Sequence, residues 1–210
     1  MAVVTVPEPA ITRIVFGTTR LAWLWLILRI WLGWQWFHAG WGKVFGGDIT
    51  WQVWNWGDAQ YSFTGDGNCG WVRSCVVTAD DGSEVTVEVG DAVSGFAAGA
   101  VDRASFDLYA DFLGWIRDSA HTWLGPLVAF GELLIGVALI VGAFTGLAAF
   151  LGAMMNFSFI FAGVAGINPV MLLASLILIL AWRVAGWYGA DRWLLPIVGV
   201  PWAHVDVQEE

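Results

Sequence analysis

The chain has 210 residues, a net charge of −9, 58% hydrophobic residues and only 13% charged ones, a balance far from that of soluble globular domains. Those values exclude an ordinary water-soluble enzyme, and the absence of any basic run excludes a nucleic-acid partner. Sixteen tryptophans and thirteen phenylalanines suit membrane interfaces or sites for flat apolar ligands.

In chain order, residues 1–20 contain Pro7, Pro9, Arg13 and Arg20 but neither the short apolar core nor the small-residue cleavage site of a signal peptide, so the first apolar segment is expected to stay in the mature protein. Residues 21–44 are long and apolar enough to cross a hydrocarbon layer of about 30 Å at about 1.5 Å per residue. Only Arg29, Gln35, His38 and Lys43 interrupt them. Residues 45–121 form a long insert that holds most of the acidic side chains, from Asp48 to Asp118. They read as a solvated acidic face, which also suits a high-salt medium. Within the insert, 74–78 and 84–89 alternate β-branched and polar residues around Ala79-Asp80-Asp81-Gly82-Ser83, which predicts a hairpin. Phe106, Tyr109, Leu113 and Ile116 then recur at helical spacing, so 102–120 is expected as an amphipathic helix on the membrane interface.

Residues 122–145 form a second crossing run with a single charge, Glu132, and Gly142 to Gly146 supply a turn. A third run covers 147–165. Asn168 and Pro169 break the pattern, and 170–187 form a fourth run that ends in a Trp-Tyr pair before the tail 188–210. The expected fold is an all-α integral membrane protein: a four-helix transmembrane bundle with an extracytoplasmic insert, a small β-hairpin plus an amphipathic interfacial helix, between helices 1 and 2. Arg13 and Arg20 precede the first run, and Arg183 and Arg192 accompany the end of the fourth. Cations favour the cytoplasmic side, so a multi-pass plasma-membrane protein with both termini cytoplasmic and the insert outward is expected.

Cys69 and Cys75 are the only cysteines and fall on the outward, oxidising side, where a disulfide persists. A redox-active pair or isolated thiols are the other readings. No metal site is expected, because two thiolates without a nearby histidine leave zinc coordination incomplete.

Each charge inside a bilayer costs about 2.5–3.5 kcal/mol on insertion scales, so Arg29 and Glu132 need partners or functions. At about 100° per residue, Arg29, Gly33, Trp36, Gly40 and Lys43 share one stripe, and Gly125, Ala129, Glu132 and Gly136 another. Small residues there let two helices approach. The expected contact is an Arg29–Glu132 ion pair, serving either as structural glue or as the border of a proton or headgroup site. His38 lies opposite Arg29, between Trp34 and Trp41, which makes a candidate quinone headgroup site: imidazole can hydrogen-bond a carbonyl and exchange a proton. Its other reading is an interfacial anchor. The remaining histidines, His121 and His204, offer no haem-ligand spacing, and no flavin, nucleotide or serine-nucleophile motif stands in context.

The pattern resembles the DoxX/DoxD family, whose DoxD branch includes the membrane subunit of thiosulfate:quinone oxidoreductase. The matching residues are Leu28-Arg29-Ile30-x-Leu32-Gly33 and His38-Ala39-Gly40-x-x-Lys43 on the first helix, and Gly131-Glu132-x-x-x-Gly136 on the second. They continue with Met154-Met155-Asn156-Phe157, Asn168-Pro169 and the closing Ala185-Gly186-Trp187-Tyr188-Gly189-x-Asp191-Arg192-Trp193-Leu194-Leu195-Pro196. The resemblance covers 21–44 and about 111–202 and leaves 51–101 poorly matched. It implies a subunit that passes electrons from a reduced sulfur compound such as thiosulfate to quinone as acceptor, in membrane lipid and beside a second protein subunit or in a homo-oligomer. Arg29, His38, Lys43 and Glu132 are the candidate catalytic residues, and Trp34, His38, Trp41 and Asn156 the candidate quinone contacts. A noncatalytic DoxX-like partner that organises a redox or stress-response complex is the alternative, and a small-solute carrier the third.

Overall fold

A computed structural model describes residues 9–46, 68–78, 82–104, 106–164 and 166–200. The remainder of the tails and of the insert, including the hairpin tip 79–81, lies outside the described residues.

The order of elements is α1 (Ala10–Gly17), α2 (Ala22–Phe45), β1 (Cys75–Thr78), β2 (Glu84–Val87), α3 (Asp91–Val101), α4 (Asp107–Trp115), α5 (His121–Val141), α6 (Thr145–Phe161), α7 (Asn168–Leu180), α8 (Trp182–Ala185) and α9 (Asp191–Ile197). The two strands pair antiparallel, with Cys75 opposite Val87 and Thr78 opposite Glu84. A wide π-helical turn, Ile116–Ala120, joins α4 to α5.

Several helix bounds depart from the sequence expectation for local reasons. The helix expected over 102–120 is α4 together with the π-helical turn that follows it, and a further helix not expected from the sequence, α3, precedes it at Asp91–Val101. Gly95 and Gly99 weaken the helical pattern of α3, whose order comes from burying Ala97 and Ala100 completely. Gly142, at φ 75°, ends α5 at Val141, four residues before the expected boundary. The fourth run is broken at Ala181 into α7 and α8. Pro169 sits in the first turn of α7, where its missing N–H costs nothing.

α2 lies antiparallel against α5. A β-carbon at Gly40 would stand 2.7 Å from the Cα of Leu133, and one at Gly136 would stand 2.5 Å from the Cα of Phe37. The two backbones therefore touch along the small-residue stripes. A core of Trp25, Leu32, Trp36, Leu139, Ala149 and Leu178 unites α2, α5, α6 and α7, and a second of Val93, Ala97, Leu113 and Ile116 holds the α3–α4 layer.

One continuous helical stretch, 107–141, is long and apolar enough to cross a membrane, and α1 with α2, bent by 55° at Thr18, makes a second where the pair counts as one span. α6 and α7 are shorter apolar helices of 17 and 13 residues.

Candidate functional site

The antiparallel register of α2 and α5 decides which charges meet. Glu132 packs level with Gly40, whereas Arg29 lies level with Gly142, about ten residues or 15 Å further along α5. The expected Arg29–Glu132 pair does not form. Glu132 instead accepts a hydrogen bond and ion pair from Lys43 Nζ. The carboxylate side chain is 2% exposed and the lysine 12%, so the pair runs from a solvent-touching cation to a sealed anion. The indole of Trp71 covers the ammonium, 4.9 Å from ring centroid to Nζ, an arrangement in which the ring quadrupole attracts the cation.

Arg29, 1% exposed, belongs to a separate cluster at the opposite end of α2. Its Nη1 donates to Ala185 O at 3.3 Å and its Nη2 to Tyr188 O at 3.1 Å. Gly142 and Gly189 flank the guanidinium; a β-carbon at either would overlap it, at 2.6 Å from Cζ and from Nη1 respectively. Asp191 supplies the opposing charge. Its carboxylate also accepts the N–H groups of Phe144 at 2.5 Å and Thr145 at 2.9 Å, two of the otherwise unpaired donors at the start of α6. Phe144 has φ 48°, which costs about 1–3 kcal/mol for a non-glycine residue and persists only where surroundings impose it. Asp191 is that surrounding group. The closing motif of the chain is therefore a clasp around Arg29 and the α5–α6 turn.

His38, half-buried, lies on the far side of α2 from Glu132, at about 100° per residue. Its ring is 6.4 Å from that of Trp34, while Trp41 contacts Phe37 at 5.5 Å and Phe45 at 4.4 Å. Trp34, His38 and Trp41 thus form an aromatic face that does not join the ion pair.

Asn156 is fully buried on α6, and among the described residues neither its Oδ1 nor its Nδ2 has a hydrogen-bond partner; the same holds for Nε1 of Trp36. A β-carbon at Gly152, one turn before Asn156, would stand 2.9 Å from that indole nitrogen. α2 and α6 run the same way, because each is antiparallel to α5. Asn156 therefore stands between the levels of Trp36 and Lys43, inside the bundle. Unpaired buried amides carry a desolvation cost of about 1–3 kcal/mol, so this is the interior position best suited to a polar ligand group.

Cys69 and Cys75 are joined as a disulfide, with Cα atoms 5.8 Å apart. The loop they close presents Trp71 to Lys43, and it is anchored where Gly90 and Ala92 donate their N–H groups to Gly70 O at 2.8 and 3.1 Å. Among the described residues no group of three or more His, Cys, Asp or Glu is placed to hold a metal.

No family model matches the chain, and no curated protein or solved structure matches it. The residues quoted above are thus the whole basis of the DoxX/DoxD resemblance. Of the candidate residues, the structure brings together Lys43 and Glu132, places Asn156 on the same interior side, and sets Arg29 and the His38 face apart. Sequence reasoning assigned no role to Asp191 or Trp71. For Asp191 the signal was a carboxylate within the glycine-bearing closing motif, and for Trp71 an indole between two cysteines.

Proposed function

We propose that the chain is a four-span membrane protein with both termini cytoplasmic and the insert outward, and that it serves as a DoxX/DoxD-like membrane subunit of a quinone-linked oxidoreductase. The inverted distribution of side chains supports the membrane reading. Arg29, Glu132, Asn156, Ser175 and Asp191 are inside, while Leu134 is 66% and Leu180 64% exposed, with Phe130, Leu147, Phe150 and Leu173 exposed beside them. A continuous apolar exterior of that kind is stable in lipid and not in water. α2, α5, α6 and the broken α7–α8 helix are the four crossings; at 17 residues, α6 reaches about 26 Å, close to the hydrocarbon thickness.

The observation that carries the functional reading is the Lys43–Glu132 pair beneath Trp71. Reducing a quinone consumes protons as well as electrons. An ion pair with one member reaching solvent and the other sealed in the bundle can hand a proton inward, and an indole face beside it suits a flat ring. Electrons from a reduced sulfur donor such as thiosulfate enter through a second subunit. The test is thiosulfate-dependent reduction of decylubiquinone by membranes containing the chain and its copurifying partner. Glu132→Gln lowers the rate about a hundredfold, and His38→Leu, on the other face of α2, leaves it near the parent. The reverse pattern moves the headgroup to the Trp34–His38–Trp41 face, and no activity with either parent or variants removes the enzymatic reading.

The second reading, a noncatalytic partner that organises a complex, is favoured by the outer face of α4, where Phe106, Leu108, Phe112 and Trp115 are exposed. Retention of a large partner without any quinone-dependent activity selects it.

A further inference from the structure

Cys69 and Cys75, the only cysteines of the chain, take no part in the electron route described above, yet their bridge stands at the same end of the bundle as the Lys43–Glu132 pair. The residues around Cys69 are fixed to the outer end of α2. On one side Asn68 Nδ2 donates to Val44 O at 3.4 Å; on the other, Gly70 is buried and Trp71 covers the Lys43 ammonium. Cys75 opens β1 among Arg73, Ser74 and Val76, all exposed. The bridge thus joins a cysteine beside the ion pair to one among surface residues, and each is half-buried.

A bridge that spans six residues removes little chain entropy. The loop also has backbone bonds of its own. Gly70 N donates to Arg73 O at 2.9 Å, and Trp71 N and Val72 N donate to Asn68 O at 3.2 and 3.3 Å. Reduction therefore loosens this frame without dissolving it, and two thiols kept in one frame can close again. Partly exposed disulfides are the ones that exchange. The stoichiometry fits as well: reducing a quinone takes two electrons and two protons, and a dithiol that closes to a disulfide releases the same.

We propose that the Cys69–Cys75 disulfide is redox-active, receiving electrons from a dithiol on an outward-facing protein and passing them to quinone. This rests on the quinone reading above and deepens it by naming where electrons enter. The donor thiolate attacks Cys75 Sγ, the sulfur with exposed neighbours, and breaks the bridge, releasing Cys69 as a thiolate. The donor's second thiolate then displaces Cys75, which leaves the donor as a disulfide, both cysteines reduced and two protons in solution. Cys69 Sγ next bonds to the quinone ring at Trp71. Cys75 attacks Cys69 Sγ, which re-forms the bridge and expels the electron pair onto the ring, and the two ring oxygens take up two protons to give quinol. Those protons arrive through the Lys43–Glu132 pair, which is replenished from the outer solution. The sum is dithiol plus quinone to disulfide plus quinol.

The test starts from the parent chain in dodecyl maltoside, reduced with dithiothreitol, freed of it by desalting and mixed anaerobically with decylubiquinone. Two thiols are lost for each quinol formed. The rate exceeds that of the same reduced chain unfolded in dodecyl sulfate by at least about tenfold, because the folded frame holds the reacting groups together. Thiols that persist, or equal rates in the folded and unfolded chain, overturn the proposal, and neither result depends on a variant that folds. In membranes with the copurifying partner, the double substitution Cys69→Ser with Cys75→Ser loses thiosulfate-dependent decylubiquinone reduction. A parental rate in that variant removes the disulfide from the route and leaves the quinone reading standing. Thiol loss to quinone without thiosulfate-dependent activity in the parent keeps the proposal and replaces thiosulfate as the ultimate donor, whereas absence of both reactions removes the proposal and the quinone reading together.

Discussion

Lys43 of α2 and Glu132 of α5 are bonded to each other, while Arg29, about 21 Å earlier on the same stripe of α2, is held by backbone carbonyls of the closing loop. Two cations on one helix, Arg29 buried and Lys43 reaching the surface, thus have different partners at opposite ends of the bundle. Breaking a buried pair by removing one member costs about 3–5 kcal/mol, whereas replacing both with apolar groups is often neutral. Glu132→Leu therefore lowers the melting temperature in detergent strongly, Lys43→Leu less, since a lone carboxyl can neutralise itself by binding a proton, and the double substitution returns toward the parent. Arg29→Leu combined with Glu132→Leu is additive. Coupling between Arg29 and Glu132 equal to that between Lys43 and Glu132 would show that the register of α2 on α5 is wrong.

The clasp around Arg29 leaves no room beside Gly189. Gly189→Ala puts a methyl group against the guanidinium and costs about 1–3 kcal/mol as overpacking. Gly95→Ala, in an open helical position, gains about 0.5–1 kcal/mol instead. Thermal unfolding of the two variants side by side reads the opposite signs; a destabilised Gly95→Ala or an unaffected Gly189→Ala contradicts the arrangement.

The disulfide holds the loop that places Trp71 over Lys43. Closing a loop of this length contributes about 2 kcal/mol in the chain-entropy account. Denaturing alkylation without reductant is expected to label neither Cys69 nor Cys75. After reduction, the amides of Gly90 and Ala92, which donate to Gly70 O, exchange their hydrogens faster, while those in the middle of α5 keep their protection. Full labelling of both thiols in the native protein removes this role.

Topology gives the fourth prediction. A tag inserted after Gly82, beside the β1–β2 hairpin, is reached by a membrane-impermeant reagent from outside intact cells, and tags at either terminus only after the cytoplasmic face is opened. Access to the Gly82 tag from the cytoplasmic side alone reverses the orientation.

The amino-acid sequence by itself determined what depends on local pattern. Apolar runs, glycine stripes and alternating β-branched residues fall into α2, α5, the touching surfaces of the two and the Cys75–Thr78 ladder, because hydrophobic period and side-chain size act over neighbouring residues. It also marked Arg29, Lys43 and Glu132 as charges within apolar runs. Which of them meet was decided only by the tertiary structure. An ion pair between Lys43 and Glu132 and one between Arg29 and Glu132 are equally compatible with two amphipathic stripes, and only the axial register of one helix on another, set by the contacts of Gly40 and Gly136, chooses between them. The same is true of Asp191. Its carboxylate reaches the start of α6 across 46 residues of chain, holding Phe144 in a left-handed conformation that no local preference of phenylalanine would select, because long-range hydrogen bonds outweigh backbone strain of a few kcal/mol.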